Sequence, residues 1–133
     1  MIVTIDGPAG AGKSSASRGL AQRLGFLFLD TGAMYRAVAF AAHEAGVDLE
    51  DEQALANFAR GLRIEMTDDR VLLDGRDVTK DIRTMAITDL TRHSAANPGV
   101  RAHLVVQQRA IAAGKSVVTE GRDQGTVAFP DAE

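Results

Sequence analysis

The sequence contains no cysteine and no tryptophan, a single tyrosine and three prolines among its 133 residues. Without cysteine there can be neither a disulfide framework nor a thiolate metal site. The three histidines, His43, His93 and His103, never fall at the i, i+4 spacing of a helical metal pair, and they read as surface residues. No apolar run approaches the ~20 residues needed to span a bilayer. The opening segment Met1-Ile2-Val3-Thr4-Ile5-Asp6 also lacks the basic start and long apolar stretch of a secretory signal. The expectation is a cytoplasmic protein with no membrane partner. Fifteen basic residues against eighteen acidic ones leave a net charge of −3, which argues against a broad nucleic-acid surface, since such surfaces draw affinity from a basic excess. What is present is 45% hydrophobic and 25% charged residues, the profile of one globular domain or part of one. Only Lys13, Lys80 and Lys115 are lysines, so twelve of the basic residues are arginines, whose planar forks suit bidentate phosphate recognition.

The order of elements can be read from periodicity and punctuation. Ile2-Val3-Thr4-Ile5 is a β-branched run that ends at Asp6-Gly7, and Lys13 to Leu24 then shows helical spacing, with Leu20, Ala21 and Leu24 on one side. A second strand, Phe26 to Leu29, stops at Asp30. A helix from about Ala33 to Ala45 follows, with Gly46 as its stop. This β-α-β rhythm predicts an α/β fold with a parallel sheet. Gln53 to Arg60 reads as a short helix, and Leu62–Met66 and Arg70–Leu73 alternate around Thr67-Asp68-Asp69 as a hairpin would. Two helices are expected at Met85–Ala96 and Gly99–Ala113, broken at Asn97-Pro98 and closed by Gly114. Val117-Val118-Thr119 is then a third core strand leading into Glu120-Gly121-Arg122-Asp123.

Gly7-Pro8-Ala9-Gly10-Ala11-Gly12-Lys13-Ser14 matches G-x-x-x-x-G-K-S in the context that gives the pattern meaning, directly after a strand and opening a helix. Glycines let successive backbone N–H groups turn toward one anion, and the helix N-terminus adds partial positive charge. Lys13 is expected to reach the β- and γ-phosphates of a nucleotide, Ser14 to ligate its Mg²⁺, and Ser15 to extend the cradle. A glycine turn that merely caps a helix would explain Gly7 or Gly12, but not Lys-Ser in register with them.

A phosphate acceptor is already largely dianionic at neutral pH, its second pKa being about 6, so it calls for arginines and not for a general base. Arg36 stands in the first turns of the helix that follows the second strand, Arg101 lies early on another helix, and Arg122 with Asp123 follows the third strand. Converging guanidinium groups would neutralise and align donor and acceptor phosphates. Taken alone, Arg36 could simply be a solvated helix residue.

The segments Ile5-Asp6-Gly7-Pro8, Leu29-Asp30-Thr31-Gly32-Ala33-Met34-Tyr35-Arg36, Asp81-Ile82-Arg83-Thr84, Pro98-Gly99-Val100-Arg101, Gln108-Arg109 and Glu120-Gly121-Arg122-Asp123-Gln124-Gly125-Thr126-Val127-Ala128-Phe129-Pro130-Asp131-Ala132 together resemble the bacterial cytidylate kinase family, over essentially the whole chain. The resemblance implies a P-loop nucleoside-monophosphate kinase fold with a small antiparallel insert at about residues 62–83. It implies transfer of the ATP γ-phosphoryl group to CMP or dCMP with Mg²⁺ as cofactor, and ATP and CMP or dCMP as the molecules bound. The CMP site it implies draws on Thr31, Gly32, Arg36, Arg101, Arg122 and Asp123, and the catalytic set on Lys13, Arg122 and Asp123.

The sequence departs from the family pattern in two places. Gln124 replaces a common methionine, and Arg92 stands where the family places a serine near the cytosine pocket, with Ser94 as a shifted substitute. The family pattern also continues past Glu133 with another strand beside Ile2–Ile5 and an arginine-bearing lid. On that basis the 133 residues alone are expected to turn over CMP negligibly and either to self-associate, to rearrange the exposed edge or to be a marginally stable monomer, whereas a complete form would be monomeric. Two rival readings share the phosphate loop. One is a kinase of a small hydroxyl substrate such as shikimate or gluconate, against which TGAMYR argues, and the other is a nucleotide-binding module without turnover.

Overall fold

The computed structural model describes residues 1–6, 13–67 and 69–121. The chain divides into two compact units, Met1–Gly32 with Val105–Glu133, and Ala33–Leu104.

The first unit is built on a parallel sheet. Strands β1 (Ile2–Asp6), β2 (Leu27–Asp30) and β6 (Val117–Gly121) lie in the order β1-β6-β2. The register pairs Ile2 and Leu27 with Val117, and Asp6 with Gly121, so all three strands end at one edge. The centre goes to β6, whose Val117, Val118 and Thr119 are completely buried, as a near-continuous β-branched run should be when covered on both faces. Among the described residues, β1 is paired on one side only.

Helix α1 (Lys13–Leu24) lies against β6 and β2. There Ala21, Phe28 and Val118 form a buried cluster flanked by Val3, Ile5, Leu20 and Phe26, and each large side chain removed from water contributes about 1.5–3 kcal/mol. The Arg18 guanidinium covers the Phe28 ring, 4.7 Å from its centroid. Helix α2 (Thr31–Ala45) begins without a gap after β2, two residues earlier than the sequence spacing predicts.

In the second unit α3 (Glu52–Arg60) starts at an Asp51 cap whose carboxylate accepts from the Ala54 N–H at 3.0 Å. Helical spacing turns Leu55, Ala56 and Ala59 inward. The antiparallel insert follows as β3 (Ile64–Met66), β4 (Val71–Leu73) and β5 (Arg76–Asp77), with a 3-10 turn at Asp81–Arg83. Its last strand was not foreseen from the sequence. Asp74 and Gly75 connect β4 to β5 with φ of 49° and 87°, the left-handed pair of a type I′ turn, for which Asp-Gly is a preferred sequence. The Asp74 carboxylate accepts from the Arg63 N–H at 2.9 Å, tying the turn to the start of β3.

On β5, Asp77 accepts from both the hydroxyl (2.6 Å) and the N–H (3.0 Å) of Thr79. These bonds, the hydroxyl's foremost, hold its carboxyl below the usual carboxylate range. Arg76 pairs with Glu44 of α2 at 2.8 Å and lies 5.5 Å from the Phe40 ring centroid, and the hydrogen bond and charge of Glu44 raise the guanidinium pKa further. Helices α4 (Met85–Ala96) and α5 (Pro98–Ala112) complete the chain up to β6. Among the described residues no helix is long and apolar enough to cross a membrane.

Candidate nucleotide-binding site

The carboxyl edge of the parallel sheet is where ligands of open α/β folds bind. Three segments flagged by the sequence leave from it. β1 ends at Asp6, and Gly7, Pro8, Ala9, Gly10, Ala11 and Gly12 come next in the chain; these six lie outside the described residues. Lys13, Ser14 and Ser15 follow them as the first turn of α1, the position from which a helix N-terminus serves an anion. β6 ends at Gly121, and the residues after it, Arg122, Asp123 and Gln124, also lie outside the described residues.

β2 delivers Thr31 and Gly32 to the first turn of α2. Thr31 is 2% exposed, and its hydroxyl donates to the Glu120 carbonyl at 2.7 Å, a buried bond that closes the β2–α2 turn onto β6. The hydroxyl has one proton, and here it is given to the main chain. The Glu120 side chain is also buried, at 6% exposure.

The second unit carries Arg36 and Arg101. Arg36 is half-buried in the second turn of α2, and among the described residues no carboxylate pairs with it. Arg101 is exposed in the first turn of α5, its N–H bonded to the Asn97 carbonyl at 3.0 Å. Ser94, expected from the sequence to be a shifted substitute for the family's pocket serine, is completely buried. Its Oγ lies 2.8 Å from the Tyr35 carbonyl and 2.9 Å from that of Thr91, so the hydroxyl is engaged inside the fold. Arg92 is exposed and lines a cleft of about 350 Å³ with Glu50, Glu52, His93 and Asn97. His43 is exposed as expected, but His93 and His103 are half-buried, and His103 Nε2 approaches the Leu62 carbonyl at 3.5 Å.

Sequence reasoning overlooked the role of Asn97, reading Asn97-Pro98 only as a break between helices. An Asn directly before a Pro is the signature of a helix cap followed by the first helical residue, and the structure uses it so.

A parallel sheet flanked by helices, a helix opening directly on Lys-Ser, and a small antiparallel insert define a P-loop nucleoside-monophosphate kinase fold. The profile of the family described as cytidylate kinase matches residues 3–133, and the chain belongs to that family. It is similar to the cytidylate kinase of Rhodopirellula baltica, at 52% identity over 132 residues, covering 99% of this chain and 58% of the relative. It is similar also to that of Pelotomaculum thermopropionicum, at 52% over 136 residues, 98% of this chain and 60% of the relative. The cytidylate kinase of Mycobacterium leprae is 49% identical over 133 residues, with 99% and 60% covered. The chain thus spans about three fifths of the length of the curated relatives it matches.

Proposed function

We propose that the protein is a nucleoside-monophosphate kinase that transfers the γ-phosphoryl group of ATP to CMP or dCMP, giving ADP and CDP or dCDP. An oxygen of the acceptor phosphate attacks the γ-phosphorus and forms the new P–O bond. The bond from that phosphorus to the β–γ bridging oxygen breaks, and ADP leaves with its electron pair. The attacking phosphate is already an anion, so no side chain has to remove a proton. The protein's part is alignment and charge neutralisation.

The carrying observation is the carboxyl edge of the sheet. The strand ends at that edge, Asp6, Asp30 and Gly121, are followed in sequence by the glycine loop with Lys13 and Ser14, by Thr31 and Gly32, and by Arg122 and Asp123. In this reading Gly7 to Ser15 hold the ATP phosphates, with Lys13 on the β- and γ-phosphates and Ser14 on the Mg²⁺ that enters with ATP. Arg36, Arg101 and Arg122 bind the acceptor phosphate, and Lys13, Arg122 and Asp123 act at the transferring group. A half-buried guanidinium with no carboxylate partner among the described residues, as at Arg36, suits an anionic ligand. Because the Thr31 hydroxyl proton goes to Glu120, Thr31 and Gly32 contribute through the N–H groups of the α2 terminus. The enzyme works on free nucleotides in the cytoplasm, with neither nucleic acid nor membrane as partner.

The test is an ADP-release assay with CMP, dCMP, UMP, AMP and shikimate as acceptors, run on this chain and on any longer form of the protein. Wherever turnover is detected, it is expected to be confined to CMP and dCMP. Turnover of shikimate in preference to every nucleotide would overturn the reading.

A further inference from the structure

We infer that Asn97, together with Ser94, is a positioning residue for the two arginines assigned to the acceptor phosphate. Neither side chain touches ligand in this account, and the inference rests on the acceptor role proposed for Arg36 and Arg101.

Asn97 is 3% exposed and stands between α4 and α5. Its Oδ1 accepts from the N–H groups of Gly99 (3.0 Å) and Val100 (3.1 Å), two donors that an uncapped helix start would leave unmet. Its Nδ2 donates to the Glu52 carbonyl at 2.9 Å, which ties the start of α5 to the start of α3. Its own carbonyl accepts from the Arg101 N–H at 3.0 Å. One side chain therefore fixes the first turn of α5 from both directions, and Arg101 sits in that turn. Serine or aspartate would cap the helix as well, but neither carries the amide N–H that reaches Glu52.

One turn back along α4, the buried Ser94 Oγ is 2.8 Å from the carbonyl of Tyr35, the residue before Arg36, and the Ser94 carbonyl accepts from the Asn97 N–H at 3.3 Å. A continuous hydrogen-bonded path thus runs from the helical turn of Arg36, through Ser94 and Asn97, to the turn of Arg101. A long side chain magnifies small backbone displacements at its tip, and bidentate phosphate recognition loses strength when its fork is misaimed.

Calorimetry of CMP and ATP binding to Asn97→Ala, Asn97→Ser, Ser94→Ala, Arg101→Ala and the double variant Asn97→Ala/Arg101→Ala tests this, each with a thermal melt. Asp74→Ala, which removes the bond to the Arg63 N–H in the antiparallel insert, serves as the control for lost stability alone. The expected result is a roughly tenfold weaker Kd for CMP in Asn97→Ala, the order of one misaligned charge-assisted bond, with ATP binding within about twofold of the parent. Asn97→Ser should weaken CMP too, since it keeps the cap but loses the Glu52 tether, and it serves if Asn97→Ala does not fold. Asp74→Ala should lower Tm and leave CMP binding unchanged. The Asn97 effect should vanish when Arg101 is already alanine. Unchanged CMP affinity in folded Asn97→Ala and Asn97→Ser beside a weakened Arg101→Ala would overturn the positioning role and leave the acceptor reading standing. Unchanged affinity in Arg101→Ala would overturn both.

Discussion

Replacing Gly99 by alanine adds one methyl group where the fold has no room for it. A Cβ built on Gly99 falls 2.6 Å from the Cβ of Ala56 and 3.8 Å from its Cα. Both β-carbons are fixed to helix backbone, so no rotamer relieves the overlap. The first turn of α5 and the middle of α3 must separate by about 1 Å to reach ordinary carbon–carbon contact. Ala56 is 6% exposed and lies beside the fully buried Leu55 and Ala59, and forcing an extra methyl group into a packed interior costs about 1–3 kcal/mol. Alanine's better helix propensity returns at most ~1 kcal/mol, and less in the first turn, where Asn97 already orders the backbone. The net expectation is a loss of about 1–2 kcal/mol, or roughly 3–10 °C in Tm for a domain of this size. Thermal and urea unfolding of Gly99→Ala, Ala56→Gly and the double variant read it out. In the double variant the overlap is gone, so its stability should exceed the value obtained by adding the two single losses. A Gly99→Ala protein as stable as the parent, or strictly additive losses, would refute the close approach of these two helices.

The fold was legible where periodicity and punctuation agree. Val117–Thr119 and Ile2–Ile5 are short β-branched runs that form adjacent parallel strands, with no charged residue, glycine or proline to interrupt them. The α1 bounds match at both ends, since the Lys-Ser opening and the apolar stripe of Leu20, Ala21 and Leu24 fix the frame. Boundaries slipped where a residue could serve either element. Thr31 and Gly32 look like a loop in sequence, yet the Thr31 hydroxyl closes the turn on Glu120 and lets helix geometry begin at once. Strand β5 was overlooked because Arg76 and Asp77 are too few for any alternation to show, although Asp74-Gly75 marked the turn that creates it.

The candidate site was legible in a different way. Residues whose chemistry is unusual for their place, such as Lys13 after a glycine loop or Arg36 on an otherwise apolar stretch, announce themselves from one sequence. Residues that act through backbone do not. Asn97 and Ser94 are ordinary polar residues until the structure shows them buried with defined partners. Arg92 and Ser94 likewise differ in a way the sequence does not show, an exposed guanidinium against a fully buried hydroxyl.

Four further perturbations bear on the site and the fold. Lys13→Ala should lower kcat/KM in a turnover-competent form by a few kcal/mol of transition-state stabilisation, about 10²–10³-fold, while near-parent turnover would sink the phosphate-loop assignment. Arg36→Lys keeps the charge but loses the fork, so CMP binding should weaken and ATP binding hold; calorimetry with the reverse pattern would reassign Arg36 to the donor. The Asp77 carboxyl titrates below its ordinary value in the fold, so its contribution to stability is present above about pH 4 and fades as pH falls through the lower folded pKa. Denaturation curves of Asp77→Asn should therefore converge with the parent's at acid pH and part from them at neutral pH. The last concerns Thr31, where shape and hydrogen bonding can be separated, since valine keeps the branched outline and removes the hydroxyl. With Thr31 2% exposed and its acceptor inside the sheet, the lost bond should cost about 1–3 kcal/mol, and Thr31→Ser should recover much of it. A hydroxyl proton given to Glu120 cannot also be given to a phosphate, so Thr31→Val should lower Tm by several degrees, on the order expected for that loss, and leave CMP affinity within about twofold. Unchanged Tm together with markedly weaker CMP binding would show that the hydroxyl serves the ligand and not the β2–α2 turn.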